Sequence, residues 1–187
     1  MFIIIFLFKV LTNFYISILI LYSWMQKVRC NFYNPLIQYT IKIIKKFIKF
    51  KKFYNWKSGN FDISILFIAL LISLIKFPII LILEKKIDII FYKPFLFIII
   101  GFIVFIKNFG TLIFWISILY SIFSINSYMH KNIYIILYQL IDPFIYPIKK
   151  FLLKIGLFDC SSFIFITILQ LLNYLGEKLF SNIWINV

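Results

Sequence analysis

The stretch Asp142-Pro143-Phe144-Ile145-Tyr146-Pro147-Ile148-Lys149-Lys150 is polar and basic, and long apolar runs lie on both sides of it. Its two prolines cannot donate backbone hydrogen bonds, so the pattern predicts a turn here, followed by a lysine pair at the level of lipid headgroups. A weaker copy of the stretch lies 97 residues upstream, where Lys52 aligns with Lys149. The sequence therefore predicts two copies of one unit: apolar helix, basic segment, apolar helix.

The composition excludes an ordinary soluble domain. Of the 187 residues, 64% are hydrophobic, and the mean hydropathy is +1.02. Soluble domains are nearer half apolar, so this chain has more apolar surface than one globular core can bury. We therefore expect a lipid environment.

The charge is strongly basic, with a formal net charge of +14. In a soluble protein this would suggest nucleic acid as a partner. Here the lysines gather beside apolar runs, which is typical of cytoplasmic segments held near anionic headgroups. We expect a bilayer with anionic headgroups as the partner, together with membrane proteins, and no nucleic acid.

Three apolar runs, residues 2–24, 63–83 and 163–182, each have the length of one membrane crossing. Residues 89–125 are ambiguous: either one long tilted helix follows an interfacial piece, or two spans meet at residues 107–110. If both basic segments face the cytoplasm, the chain crosses twice between them, which favours four spans in all. It remains open whether residues 89–106 form a separate span.

The predicted fold is an all-α membrane protein with about four transmembrane helices in two repeats, each with a basic amphipathic interfacial segment. Residues 1–83 form the first repeat, 84–94 the connecting turn and 95–187 the second repeat. In the first interfacial segment, residues 36–53, lysines recur at helical spacing on one face and isoleucines on the other. This pattern predicts a helix lying in the membrane surface.

Two acids fall on equivalent positions of the repeat, because a shift of 97 residues places Asp62 on Asp159. The same shift places Gly59 on Gly156. Each acid directly precedes an apolar run, where a carboxylate can accept a backbone hydrogen bond and suits the helix dipole. We interpret both as helix N-caps; catalysis or ion binding is the alternative.

Two lysines lie within the apolar runs and are the intramembrane candidates for function. A charge at depth is costly, so Lys76 and Lys107 either face protein and carry a function or extend towards the headgroups. Both interpretations of Lys107 stay open.

The sequence offers little other chemistry. The single histidine, His130, follows Met129 and could ligate haem, but it has no partner histidine and reads more simply as a surface residue. Cys30 and Cys160 are too few for a metal site, and we interpret them as free thiols. No cofactor, metal ligand or catalytic residue is expected.

Several of these positions together resemble a family motif of the form N-P-x-x-Q, then acid-Pro with P-x-R-R, then G-x-D. The positions that carry the resemblance are Trp24, Asn34, Pro35, Gln38, Asp62, Asp142, Pro143, Pro147, Lys149, Lys150, Gly156 and Asp159. The chain resembles the YggT family of bacterial integral membrane proteins, whose plastid relatives include YlmG and CCB3. Lys149 and Lys150 stand where the family motif has two arginines, and lysine cannot make the bidentate contacts of an arginine side chain.

The resemblance implies a multi-pass protein of the bacterial inner membrane. The bacterial family is linked to osmotic tolerance and to envelope or division phenotypes, and its plastid relatives to haem attachment; it implies no shared catalytic chemistry. The leading hypothesis is a non-enzymatic envelope assembly or osmotic-tolerance factor. One alternative is a small transporter or channel component, with a path lined by Lys76, Lys107, Gln170 and Asn173. The other is a haem-handling assembly factor.

Overall fold

The computed structural model describes residues 2–28, 30, 37–38, 41–42, 57–58, 61–84, 94–125, 131–151 and 160–180. These residues form five long helices and one pair of two-residue strands. The helices are α1 (Phe2–Lys27), α2 (Ile63–Leu83), α3 (Pro94–Ile125), α4 (Lys131–Phe151) and α5 (Cys160–Leu179). The strands β1 (Lys57–Ser58) and β2 (Phe61–Asp62) pair antiparallel, with Lys57 opposite Asp62.

Three of the described helices are long and apolar enough to cross a membrane: Ile3–Lys27, Ile63–Leu83 and Phe95–Ser124. The predicted runs 2–24 and 63–83 are confirmed as helices α1 and α2, and α2 has the predicted limits. The predicted run 163–182 corresponds to helix α5, but α5 is not among the three candidate spans. Polar residues in its second half lower its apolar character: Gln170, Asn173, Glu177 and Lys178.

Helix α3 decides the ambiguity of residues 89–125. It runs without a break from Pro94 to Ile125, through Lys107 and Gly110, so the structure has one long helix here. Its 32 residues rise about 48 Å, more than the roughly 30 Å of a bilayer core, so a spanning α3 must tilt or project from it. Residues 89–93 lie outside the described part.

Helices α2 and α3 form the most extensive helix pair of the fold. Gly101 of α3 lies against the backbone of α2: a Cβ atom built on it would stand 2.7 Å from the Cα atom of Leu74. This approach occurs at the residue whose carbonyl loses its intrahelical donor to Pro78, four positions later. The absence of a side chain at residue 101 therefore sets the distance between the two helices.

The prediction of a turn at residues 142–147 is wrong. Helix α4 continues through both prolines and ends at Phe151. Prolines four residues apart share one helix face, and the structure places Pro143 and Pro147 on the exposed face. The carbonyls that lose their donors therefore lie towards the outside of the fold, where polar surroundings can satisfy them.

The buried core is built from one side of each helix. Helix α1 contributes Ile16, Leu19 and Ile20, and α4 contributes its inner face, which includes Leu140, Ile141 and Ile145. The first interfacial segment is described at four positions, all helical: Ile37 and Ile41 face inwards, whereas Gln38 and Lys42 are exposed. These four positions agree with the predicted amphipathic pattern.

Candidate functional site: an intramembrane polar cluster

Three polar side chains from three helices meet inside the apolar fold. The ammonium of Lys76, in α2, donates a hydrogen bond of 2.7 Å to the Oδ1 atom of Asn13, in α1. The Nδ2 atom of Asn108, in α3, donates to the same oxygen at 3.2 Å and to the carbonyl of Val104 at 2.9 Å. A single amide oxygen thus joins α1, α2 and α3.

The cluster lies deep in the fold. Lys76 is 1% exposed and Asn108 6% exposed. Asn13 lies 14 residues from the end of α1, and Lys76 lies 13 residues from the start of α2, so each is about 20 Å from its helix end. A cation at this depth is costly unless polar groups surround it, and Asn13 supplies such a group. Of the two interpretations of Lys76, the structure shows the one in which the side chain faces protein.

Lys107 lies beside the cluster but belongs to two grooves. The first, of about 490 Å³, lies between α1 and α3 and is lined by Asn13, Ser17, Asn108 and Thr111. The second, of about 320 Å³, lies between α3 and α5, where Lys107 and Thr111 meet Gln170 and Asn173. Lys107 is half-buried, which separates it from the enclosed Lys76.

The four residues proposed for a transport path are therefore brought together only in part. Lys107, Gln170 and Asn173 share the groove between α3 and α5. Lys76 instead points into the contact of α1 with α2. A path through all four positions does not follow from this arrangement.

The shift of 97 residues relates the polar positions of the two halves, a relation that sequence analysis did not exploit. It places Lys76 on Asn173 and Asn13 on Gly110. In the first half these positions form the hydrogen bond between α1 and α2; in the second half both line the groove between α3 and α5. Applying the shift to the interiors of the apolar runs would have revealed this correspondence.

Trp24 connects the end of α1 to the second basic segment. Its indole nitrogen donates a 3.0 Å hydrogen bond to the carbonyl of Leu140, in α4. Its ring stacks on Phe144 at 5.1 Å between centroids and meets Phe109 edge-on at 5.7 Å. The ammonium of Lys27 lies 5.3 Å from the centre of the indole. Trp24 therefore connects the end of α1 to the middle of α4.

Lys149 lies against aromatic rings. Its ammonium is 5.0 Å from the centre of Tyr138 and 5.8 Å from that of Tyr120, which is 1% exposed. Tyr134 stacks on Tyr120 at 5.6 Å and extends the cluster. Such cation–π contacts position the charge. Lys149 therefore packs on α3 and α4, whereas Lys150 is exposed.

The other motif positions are placed as follows. Asp142 is half-buried in α4, and Asp62 ends β2 directly before the first residue of α2. The residue directly before the first helical residue is the N-cap position, which is where the sequence places Asp62 relative to α2. Helix α5 likewise begins directly after Asp159. Asn34, Pro35, Gly156, Asp159 and the haem candidate His130 lie outside the described residues.

Residues typical of metal chemistry do not cluster in the part of the chain that the structure describes. Within the described residues, no group of three His, Cys, Asp or Glu side chains is close enough to hold a metal ion. Cys30 is buried in the core, and this burial raises the pKa of its thiol to about 11. Its thiolate is therefore scarce at neutral pH.

Comparisons with known proteins identify the family. The profile described as CCB3/YggT matches residues 96–180. A protein of Vibrio alginolyticus, described as an uncharacterized protein in the proC 3′ region, is 30% identical over 179 residues, or 96% of each chain. The uncharacterized protein YggT of Escherichia coli K12 is 31% identical over 168 residues, covering 90% of this chain and 86% of the relative.

An uncharacterized protein of Haemophilus influenzae is 26% identical over 168 residues, covering 90% of this chain and 88% of its own length. No solved structure matches the chain. Each of these relatives matches 90% or more of this chain, so the similarity extends over both halves of the sequence. The chain belongs to the CCB3/YggT family, with a membrane-like helical fold that contains three candidate transmembrane helices.

Proposed function

We propose that the chain is a non-enzymatic, multi-pass protein of the bacterial inner membrane that assembles with other envelope proteins and contributes to osmotic tolerance. The observation that carries this proposal is the hydrogen bond from Lys76 to Asn13. A deep charge that handled a substrate would have to face a cavity, whereas Lys76 is enclosed between helices and holds them together. Lys76, Asn13 and Asn108 therefore hold α1, α2 and α3 together.

We propose four spans, with α5 as the fourth, in two parallel repeats. Helix α5 has 20 residues and rises about 30 Å, enough to cross a bilayer core. Helices α2 and α5 begin at Ile63 and Cys160, 97 residues apart, in agreement with the repeat seen in the sequence. Helices α1 and α3 end at Lys27 and Ile125 and occupy equivalent places.

We propose that both basic segments lie on the cytoplasmic face against anionic headgroups. The support is the amphipathic character of α4, which buries Leu140, Ile141 and Ile145 and exposes Tyr146 and Lys150. Exposed cations beside an apolar face are attracted to anionic leaflets. Lys149, which packs on tyrosines, orients α4 for this contact.

The decisive experiment measures solute flux in proteoliposomes containing the full chain, together with hyperosmotic survival of a host that lacks its own copy. We expect no flux above empty liposomes for the wild type or for Lys107→Ala, and restored survival with the wild type. Lys178→Ala, at the exposed end of α5, is the matched control. A flux that Lys107→Ala changes and Lys178→Ala leaves alone would replace this proposal with the channel alternative.

The haem alternative is tested in the same preparation. The purified chain is mixed with haem, and its Soret absorbance is compared with that of His130→Ala. We expect no band that depends on His130. A band lost in the variant would establish haem binding and contradict the proposal.

A further inference from the structure

A third groove, of about 410 Å³, lies between α1, α2 and α3. It begins where Lys27 ends α1 and Ile63 starts α2, and it reaches Leu70, seven residues or about 10 Å further along α2. Beyond its mouth the walls are apolar and aromatic: Ile20, Leu66, Phe67, Leu70, Phe105 and Phe109. Its volume lies in the range of pockets that hold one small molecule, about 300–1,000 Å³.

One polar side chain in this groove is unusual. Ser23 is 1% exposed, and its Oγ atom has no hydrogen-bond partner within the part of the chain that the structure describes. Other hydroxyls of the apolar helices bond to a carbonyl of their own helix, as Thr12, Ser73 and Ser117 do. A buried hydroxyl without a partner costs free energy, so a bound group that accepts a hydrogen bond from Ser23 would be stabilising.

The mouth of the groove carries a fixed cation. The ammonium of Lys27 lies over the indole of Trp24, which also lines the groove. The indole nitrogen is held by the carbonyl of Leu140, so the ring is fixed in place. An exposed lysine held on a fixed ring offers a positioned partner for a phosphate at the helix end.

We propose that this groove binds one glycerophospholipid molecule, with its phosphate at Lys27, an ester oxygen accepting the Ser23 hydroxyl, and an acyl chain along Leu66 and Leu70. The order of groups along the groove matches the order along a phospholipid: cation, hydroxyl donor, apolar wall. Ser23 precedes Lys27 by four residues and lies about 6 Å deeper, at the level where the glycerol esters follow the phosphate.

The chemistry separates this site from ordinary contact with lipid. Lipid-facing helix surfaces require only apolar side chains. Here a buried donor and a positioned cation both face a groove that three helices enclose. The inference rests on the proposed membrane location. The full chain remaining soluble without detergent would refute that location, whereas the variants below test the site alone.

The test uses native mass spectrometry of the full chain, delipidated in mild detergent and titrated with dipalmitoyl phosphatidylglycerol. We expect one tightly held lipid per chain. Loss of the hydroxyl in Ser23→Ala should weaken binding several-fold, and loss of the charge in Lys27→Gln about tenfold. Leu66→Trp should exclude the acyl chain by filling the groove.

Two matched controls are available. Ser17→Ala removes a half-buried hydroxyl that lines the separate groove between α1 and α3. Lys178→Gln removes an exposed lysine whose ammonium lies 5.2 Å from the ring centre of Tyr174. Both should bind lipid as the wild type does. Because Leu66→Trp adds volume and can disturb folding, Ser23→Ala and Lys27→Gln decide the outcome.

Three results would overturn the proposal. The first is unchanged affinity in both Ser23→Ala and Lys27→Gln. The second is an equal loss of affinity in the two controls. The third is competition by glycerophosphoglycerol, the soluble headgroup without acyl chains, at the same concentration as the lipid, because this would identify a site for a soluble phosphodiester.

Discussion

The hydrogen bond from Lys76 to Asn13 can be tested by comparing how two substitutions change the free energy of unfolding. If the bond holds the helices together, losing the acceptor should cost more than losing the charge. Asn13→Leu removes the amide oxygen that accepts from both Lys76 and Asn108. The buried ammonium keeps its desolvation cost and loses this acceptor. A hydrogen bond to a charged group contributes about 1.5–3 kcal/mol, whereas neutral contacts between membrane helices average about 0.6 kcal/mol. We expect Asn13→Leu to lower the free energy of unfolding by about 2 kcal/mol.

Lys76→Met should cost less, although it alters the more deeply buried residue. It removes the charge together with its desolvation cost and keeps a side chain of similar length. Asn13 then keeps Asn108 as a donor, at 3.2 Å. We expect a change within about 1 kcal/mol of the wild type. The double variant should be more stable than Asn13→Leu alone. Its loss of stability should be smaller than the sum of the two single losses by a coupling energy of about 1–2 kcal/mol.

The assay is reversible unfolding in mixed detergent micelles, followed by tryptophan fluorescence and circular dichroism. Thr167→Val is the control, because its exposed hydroxyl bonds to a carbonyl of its own helix. It should change the free energy of unfolding by less than about 0.5 kcal/mol. If Asn13→Leu costs no more than Lys76→Met, the ammonium does not depend on Asn13 and the reasoning fails.

Three further predictions concern packing and reactivity. Gly101→Ala should lower the free energy of unfolding by about 1–3 kcal/mol, because α2 must move away by roughly 0.7 Å to accept the new Cβ atom. A Cβ atom at Gly110 meets nothing within 4 Å, so Gly110→Ala should leave the free energy of unfolding unchanged or raise it. Unfolding of the two variants is compared in the same assay. Trp24→Phe keeps a ring but loses the bond to the α4 carbonyl, and a loss of about 1 kcal/mol is expected in the same assay. Burial raises the pKa of Cys30 to about 11, so its alkylation in mild detergent should be slow near neutral pH and become faster as the pH rises towards that value. Unfolding in dodecyl sulfate should make the alkylation fast. Rapid labelling of the folded chain near neutral pH would contradict the burial of Cys30.

The burial of Cys30 also changes how topology must be measured. Protection of this thiol from an impermeant reagent would report its packing and not the side of the membrane on which it lies. Cysteines introduced at exposed positions avoid this problem. Gln38 and Tyr146, one in each basic segment, are exposed in the structure. Equal protection at both positions in intact cells supports parallel repeats, whereas opposite labelling would contradict the four-span arrangement.

The apolar helices could be predicted from the sequence because hydropathy and length determine them together. Residues 63–83 became α2 with the predicted limits, since lipid and core both favour an unbroken apolar helix there. For residues 89–125, hydropathy alone allows one long helix or two spans, and the charge pattern favours a single crossing; the structure has one continuous helix from Pro94 to Ile125. In the sequence, residues 107–110 look like a break between two apolar spans. In the structure, Asn108 donates a hydrogen bond to Asn13 and Lys107 lines two grooves, so the helix continues through them.

The helix at residues 142–147 was missed for a related reason. Proline lowers the stability of an isolated helix by about 3 kcal/mol, so two of them predict a turn. Local propensity competes with packing, and here α4 buries Leu140, Ile141 and Ile145 and accepts a hydrogen bond from Trp24 through the carbonyl of Leu140. The bond from Trp24 connects residues 116 positions apart, and no local pattern could have revealed it.

The shift of 97 residues relates positions in the two halves of the chain that make different contacts in the structure. At equivalent positions the first half has Asn13 and Lys76, which close the contact between α1 and α2. The second half has Gly110 and Asn173, which leave a groove beside the half-buried Lys107. Glycine removes the side chain that fills the corresponding space in the first half. The contact is closed in the first half and open in the second, so the groove beside Lys107 is a second surface to test for exchange with a partner. Gly110→Asn would place in the second half the residue found at the equivalent position of the first half. If the variant is more stable and osmotic survival is intact, the groove serves no function. If the variant is more stable but survival is abolished, the groove is the functional surface.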